Sequence, residues 1–434
     1  MVQSLTVPAF LSGEVSCVGS RSFHGLWFAT GAANLADGMT LFVLPLLALG
    51  VGATPGGVAA VAAVATLAWP VFGMHAGWIV DRSDRRRLLL GANAARAGAV
   101  GAAAVAVAAD RLTLTTILLV AAVYGLAETL VDTALTSTVP ALVEPGDRTR
   151  ANARIETTIN LTNSFVGPPL AGLLAGVGMV WVVGSSAALY LAAIGGVLLV
   201  RLRPTTPEPD TSGAAGTPSA PADTRVRAGL TTLWRHPLLR SITLVTAGMN
   251  LVWAAWVGIF VVHAVAPGPL GLTAAAYGLV LTAMAVGGLV ASATVDRLRR
   301  RVGVRALLVV DCVGTVLLVA PAAFGLGVWP TVAGLVAAGA GASIWRVLIA
   351  TIRQNVTPEH LLGRVYAASR VLSWGTIPLG SALAGLLAEL TTVRTVFVAA
   401  TTLAVLVLGW FVVVMRRHDL EAPFSGQPAV PTTV

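Results

Sequence analysis

Six ionisable side chains lie inside long apolar stretches of this sequence. They are Asp37, Arg96, Glu128, Asp132, Asp311 and Arg346. A charge near the centre of a bilayer costs a few kcal/mol or more, so such residues normally face the interior of a helix bundle and serve a function. These side chains are therefore the first candidates for chemistry.

Glu128 and Asp132 are four residues apart, a spacing that places them on one face of a helix, about 5–6 Å from each other. Two close and poorly hydrated carboxylates favour protonation of one of them, which a proton-coupled antiporter requires. Neutralisation of each carboxylate by a basic partner is the alternative, and we favour it for Asp132. Glu128 is therefore the better candidate for a proton site.

Asp37 stands in the small and polar segment GAANLADGMT within an otherwise apolar span. The glycines and alanines around it allow close helix packing, as expected for a helix that lines a central cavity. We expect Asp37 to bind a proton or a cationic substrate. The alternative is a carboxylate that is hydrogen-bonded to a neighbouring helix.

The composition identifies the class of protein that must position these residues. The 434 residues are 56% hydrophobic and 11% charged, with a mean hydropathy of +0.83, whereas soluble chains carry about 25% charged residues. Apolar stretches of roughly 20 residues recur, which indicates a polytopic all-α membrane protein in a lipid bilayer. The net charge is +9, but the basic residues lie between apolar stretches rather than on the face of a soluble domain. Nucleic acid is therefore not an expected partner.

The sequence predicts twelve transmembrane helices. They lie near residues 27–49, 56–79, 88–109, 112–137, 155–175, 179–200, 241–264, 272–295, 306–325, 329–350, 366–389 and 395–415. With the N-terminus inside, only Arg111 and Arg394 fall in outer loops. The positive-inside rule therefore predicts that both termini are cytoplasmic.

The predicted organisation is two six-helix bundles joined by a linker. The segments are an N-terminal segment (1–26), a first bundle (27–200), a cytoplasmic linker (201–240), a second bundle (241–415) and a C-terminal tail (416–434). The linker is rich in proline, serine and threonine, and its last part, Arg225–Leu239, predicts a short amphipathic helix on the membrane surface. A plain basic tether is the alternative.

The two bundles repeat each other in sequence. Asp81 and Asp296 align at an offset of 215 residues, and Val143–Ala175 aligns with Val356–Ala388 at an offset of 213. Transporters built from such repeats place the substrate path between the halves. Gly167–Pro168–Pro169 and Pro378 are expected to bend the fifth and eleventh helices.

The segment GWIVDRSDRRR, after the second span, resembles the signature loop of the major facilitator superfamily. Its matching residues are Gly77, Asp81, Arg82, Arg85 and Arg86. Asp84 replaces a glycine of that signature. Further stretches, such as VPALVEPGDRTRANARIETT at 139–158, resemble the branch that includes the enterobactin exporter, macrolide-efflux pumps and many actinobacterial exporters. The resemblance implies the twelve-helix, pseudo-symmetric fold of that superfamily.

The resemblance also implies a gate on the cytoplasmic side. A relay Asp81–Arg85–Asp132 would hold the halves together when the transporter faces outward. The second half carries its counterpart in Asp296, Arg297 and Arg300. Arg96 and Asp311 are repeat equivalents on helices that are peripheral in this family, so both are expected to be structural and paired within their own halves.

The function that the resemblance implies is export of a small organic molecule across the bacterial plasma (inner) membrane by a multi-pass monomer. Proton antiport with rocker-switch alternating access is expected, because no ATP-binding signature, cofactor site or metal cluster is visible. Trp253, Trp256 and Trp374 are possible cavity aromatics, although such residues more often face lipid or the core. Uptake of a nutrient is the main alternative function. A non-transporting sensor and a membrane-embedded enzyme are remote alternatives, and the prediction is that the protein is not an enzyme.

Overall fold

A computed structural model describes residues 21–201 and 230–424, and within them the chain is almost entirely helical. Thirteen α-helices follow in chain order: α1 (Arg21–Gly50), α2 (Pro55–Arg82), α3 (Arg85–Ala108), α4 (Leu114–Leu142), α5 (Arg148–Ile159), α6 (Gly167–Val177), α7 (Met179–Leu198), α8 (Pro237–Ala264), α9 (Ala274–Ala323), α10 (Val328–Val356), α11 (Glu359–Trp374), α12 (Thr376–Leu390) and α13 (Val393–Met415). Threonine side chains cap several N-termini; Thr54 and Thr273, for example, accept hydrogen bonds from backbone N–H groups in the first turns of α2 and α9.

The predicted twelve-span architecture is confirmed. Ten helical segments in the described ranges are long and apolar enough to cross a membrane. The 50-residue α9 is too long for one crossing and turns at Gly303, where φ is +81°, so it supplies two spans. The twelfth span is formed by α5 and α6, which are joined end to end through a π-helical segment at Asn160–Val166.

The two broken spans break at equivalent places in the repeat. At the offset of 213 residues, Gly375 between α11 and α12 corresponds to Thr162 inside the π-helical segment. The prolines expected to cause the bends instead lie in the first turn of the helix that follows each break. At that position the missing N–H costs no intrahelical hydrogen bond. The carbonyl oxygen of Ser373, freed by the second break, accepts a hydrogen bond from Asn250 Nδ2 at 2.6 Å.

The halves meet most closely at the end of the molecule where α2 begins and α12 ends. A Cβ added to Gly278 of α9 would lie 2.6 Å from the carbonyl oxygen of Pro168 in α6. On the other side of the interface, the N–H of Gly56 donates to Glu389 Oε1 at 2.9 Å. Small residues therefore let the backbones of the two halves touch at this end.

The linker is only partly described. Residues 202–229, including the first part of the predicted surface helix, lie outside the described ranges. Residues 230–235 are helical, and Leu233 is buried in a cluster with Leu239, Val365 and Ala368. Trp234 is exposed, so the segment has an apolar side on the second half and an indole directed outward. The predicted domain boundaries stay predictions.

Candidate functional site

Arg96 is the centre of a buried ion cluster in the first half. Its side chain is fully buried in α3, and its Nη1 lies 3.2 Å from Asp37 Oδ1 and 3.3 Å from Asp37 Oδ2 in α1. Its Nη2 donates to Glu128 Oε2 in α4. The two carboxylates predicted as coupling residues thus contact one guanidinium, and the three side chains belong to three different helices.

Two tyrosines complete this cluster. The hydroxyl of Tyr190 in α7 donates to Asp37 Oδ1 at 2.7 Å and lies 3.4 Å from Thr40 Oγ1. The rings of Tyr190 and Tyr124 each lie 5.6 Å from the guanidinium carbon of Arg96, within cation–π range. We call Asp37, Arg96, Tyr124, Glu128 and Tyr190 the Arg96 cluster. Since its ions are paired and hydrogen-bonded, the cluster satisfies the conditions under which charge is tolerated in a membrane interior.

The small residues beside Asp37 bring α1 close to its neighbours, as predicted. A Cβ on Gly38 would lie 3.0 Å from the Cα of Asn163, in the π-helical segment. A π-helical turn is rare and occurs frequently at functional sites. The residue next to Asp37 is therefore packed directly against this segment, while Asp37 itself contacts Arg96 and Tyr190.

A small cavity, with room for about one water molecule, reaches this cluster. Its walls come from α1, α3, α4 and α7, and Asp37, Glu128 and Asp132 all line it. The predicted shared face of Glu128 and Asp132 is confirmed. Thr30, Asn34 and Asn93 add polar side chains to this cavity, and the rest of its wall is made by leucine, valine and alanine side chains of the same helices.

Asp132 connects the two halves. Its Oδ2 lies 4.0 Å from Arg370 Nη2 in α11. The guanidinium carbon of Arg370 lies 4.0 Å from the ring centroid of Trp69 in α2 and 4.3 Å from that of Trp374. The two indoles are 5.7 Å apart and meet edge to face. We call Trp69, Asp132, Arg370 and Trp374 the indole box.

The predicted relay through Asp132 is not the arrangement seen here. Asp132 pairs with Arg370 rather than with Arg85, and the side chain of Asp81 lies outside the described side chains. Arg85 begins α3, and Asp84 is its N-cap, accepting a hydrogen bond from the N–H of Arg87 at 2.8 Å. Asp84, which replaces the signature glycine, therefore adopts an extended conformation with φ of −63° and stabilises the start of α3.

The other predicted gating residues lie on helices. Gly77 and Arg82 are near the end of α2, and Arg82 covers the ring of Trp78. Arg86 donates to the carbonyl oxygen of Leu198 at 2.9 Å, at the end of α7, where a cation is favourable. In the second half, the predicted loop is instead part of helix α9, and this holds for Asp296, Arg297 and Arg300.

The predicted aromatics separate into core and cavity residues. Trp256 is buried and stacks on Phe260 with ring centroids 4.5 Å apart. Trp253 is half-buried and donates to Thr315 Oγ1 at 3.3 Å. Trp374 is 41% exposed. Asp311 is buried, and its Oδ1 has no hydrogen-bond partner among the described residues, so the local pairing predicted for it is not seen.

Four residues of these sites were not identified from the sequence: Trp69, Tyr124, Tyr190 and Arg370. Arg96 is expected from the sequence to be structural and paired within its own half, and both of its partners, Asp37 and Glu128, lie in that half. A signal existed for Tyr190, since a tyrosine in an apolar span requires a hydrogen-bond partner. Arg370 falls four residues inside the predicted span 366–389, deep enough to require a partner as well.

Comparisons with known proteins identify the family of this chain. The sequence model of the Major Facilitator Superfamily matches residues 26–375 and 268–433. The multidrug efflux pump Tap of Mycolicibacterium fortuitum is 27% identical over 413 residues, which cover 90% of this chain and 94% of Tap.

Solved structures with the same fold include a nucleoside transporter and a homologue of an iron transporter. The nucleoside transporter NupG has a TM-score of 0.71 at 13% identity, with 92% of this chain and 100% of NupG covered. A bacterial homologue of the iron transporter ferroportin, in an inward-facing state, has a TM-score of 0.70 at 16% identity, with 91% and 98% covered. The family model, which spans both halves, and the shared fold show that this multi-pass membrane protein belongs to the Major Facilitator Superfamily.

Proposed function

We propose that this protein is a proton-coupled exporter of small organic molecules. The observation that carries the proposal is the composition of the Arg96 cluster, in which Asp37 and Glu128 share one guanidinium in the membrane interior. One cation neutralises only one carboxylate, and an uncompensated buried charge is strongly unfavourable. The second carboxylate is therefore the natural carrier of one exchangeable proton.

Arg96 can pair with either carboxylate as the proton moves between them. When Asp37 holds the proton, the guanidinium remains paired with Glu128, and the reverse holds when Glu128 is protonated. The cavity that reaches both residues is also lined by Thr30, Asn34 and Asn93. These polar side chains would assist release of the proton to the inside.

Alternating access would follow from rocking of the two halves against each other about a site between them. In the predicted orientation, both termini are cytoplasmic, and the close contacts Gly278–Pro168 and Gly56–Glu389 lie at the outer side. We infer that the structure represents a state closed to the outside. Protonation from outside would favour one orientation, and release inside the other.

Asp132 would have a different partner in each state. In the state described, it pairs with Arg370 of the other half. In the outward-facing state, we propose that it pairs with Arg85 of the signature loop, with Asp81 completing the inner latch. The segment around Asp296, Arg297 and Arg300 would form the matching cytoplasmic contact of the second half.

Export is supported by the relative Tap, whose name describes multidrug efflux. The solved relatives are a nucleoside transporter and a homologue of an iron transporter, so the fold itself does not select a cargo. Uptake of a nutrient is the competing function. We place the protein in the bacterial plasma membrane as a monomer.

The test is transport by purified protein in liposomes with an imposed pH gradient, screened against antibiotics, organic cations and siderophores. We expect the gradient to drive accumulation by the wild type, and expect Asp37→Asn and Glu128→Gln to lose this drive while they retain substrate counterflow. Asp311→Asn, a buried carboxylate in the other half, is the matched control and should behave like the wild type. Normal pH-driven transport by both cluster variants would contradict the assignment.

A further inference from the structure

The indole box lies where a secondary transporter binds its cargo. Trp69 is at the middle of the 28-residue α2, and Trp374 is the last residue of α11, at the break in the eleventh span. Both positions are near the midplane of the membrane. Trp69 and Asp132 come from the first half, whereas Arg370 and Trp374 come from the second, so the box lies between the repeats.

The contacts of Arg370 within the box are those of a bound planar cation. Its guanidinium lies 4.0 Å and 4.3 Å from the two indole centroids, and tryptophan is the best aromatic partner of a cation. A carboxylate, that of Asp132, stands 4.0 Å away. Two aromatic faces and one anion are sufficient to recognise an organic cation.

Arg370 is held weakly for a residue in such a position. Its ion pair with Asp132 is at the long end of the range, and its buried Nε has no hydrogen-bond partner in the described ranges. The side chains of Arg370 and Asp132 are 32% and 44% exposed. A molecule in the space between the halves can therefore reach the box.

We propose that the indole box is the binding site for the charged group of a planar organic cation, and that Arg370 is an internal occupant which this ligand displaces. The ligand's flat cationic ring would lie against Trp69 and Trp374, and Asp132 would neutralise it. Displacement of Arg370 would also break its contacts with Trp69 and Asp132, which join the halves. Binding of the ligand would thus loosen the link between the halves.

The proposal rests on the proposed function only for the role of the ligand as cargo, because binding itself needs no transport and no proton gradient. The probe is ethidium, a planar aromatic cation, and its binding to the purified full chain in detergent is followed by fluorescence anisotropy. Chloramphenicol, which is uncharged, serves as the comparison ligand and is expected not to compete with ethidium.

We expect Trp69→Leu and Trp374→Leu to weaken ethidium binding about tenfold each, the loss of one cation–π contact. We expect Arg370→Gln to tighten it several-fold, because the internal competitor is gone. Trp329→Leu and Arg364→Gln are the matched controls, since Trp329 is 82% exposed and Arg364 is an exposed arginine of the same helix as Arg370. Gel filtration confirms that each variant is folded.

Three results would overturn the proposal. Weaker or unchanged binding by Arg370→Gln would show that the arginine is a structural link and not an occupant. Unchanged binding by both tryptophan variants would place the cation elsewhere. Absence of ethidium binding to both the wild type and Arg370→Gln would show that the box is not a cation site. Normal pH-driven transport by Asp37→Asn and Glu128→Gln, with the expected pattern of ethidium binding, would contradict the proposed function and leave this inference standing, so the two proposals fail separately.

Discussion

The substitution Arg96→Met should lower the free energy of unfolding of the wild type. It should leave that free energy unchanged or raise it when the two carboxylates around Arg96 have been replaced by amides. Arg96 is fully buried and pairs with Asp37 and Glu128. Arg96→Met keeps the side-chain volume but leaves two carboxylates without a counter-ion. Removal of one partner of a buried ion pair costs about 3–5 kcal/mol, so we expect the free energy of unfolding to fall by that amount near neutral pH.

In the background Asp37→Asn/Glu128→Gln, the same substitution should be neutral or stabilising, because Arg96 itself is then the unpaired buried charge. The difference between the two backgrounds is the coupling free energy of a double-mutant cycle. It is measured by SDS titration of the purified protein in mixed micelles, followed by tryptophan fluorescence. The background Asp311→Asn is the control, since that residue lies in the other half and should leave the effect of Arg96→Met unchanged.

Equal losses in all three backgrounds would refute this reasoning. They would mean that Arg96 stabilises the fold through packing alone, and that its two ion pairs contribute little.

Three further predictions address the surroundings of the site. Tyr190→Phe removes a hydrogen bond to the Asp37 carboxylate and should lower the free energy of unfolding by about 1.5–3 kcal/mol in the same SDS titration; no change would show that the hydroxyl is dispensable. Gly278→Val places a methyl group against a carbonyl oxygen of α6, so spin labels at the outer ends of α6 and α9 should move apart, whereas Gly409→Val, which meets no atom within 4 Å, should leave their distance unchanged. Burial lowers the pKa of His236, so its neutral form is favoured in the folded state and stability should decrease as the pH falls below about 6.5; His236→Asn retains a cap for α8 without a titrating group, and an equally acid-sensitive melting temperature in that variant would contradict the assignment.

The architecture could be predicted because a bilayer leaves few choices. Apolar stretches of about 20 residues must be helices, the arginines indicate orientation, and the offset of 213–215 residues indicates two halves. The shared face of Glu128 and Asp132 follows from helical geometry alone. These inferences depend on local properties of the chain, and the structure confirms the spans and the shared face.

The partners of the charges could not be predicted, because they depend on how helices rotate and pack. Asp37 and Arg96 are 59 residues apart, and nothing in either segment specifies which face of α3 is turned inward. The partner of Asp132 depends further on the conformational state. A resemblance to a family suggested Arg85, whereas the state described here has Arg370. Arg96 and Asp311 also show that repeat-equivalent positions can acquire unlike roles.

The proton itself provides the most direct test of the central claim, that the Arg96 cluster holds one exchangeable proton. Proton release on substrate binding is measured with a pH indicator in weakly buffered detergent solution, with a substrate identified in the liposome screen. The account predicts release of about one proton per protein molecule near neutral pH, and none from Asp37→Asn/Glu128→Gln with substrate binding intact. Undiminished proton release from that double variant would contradict it.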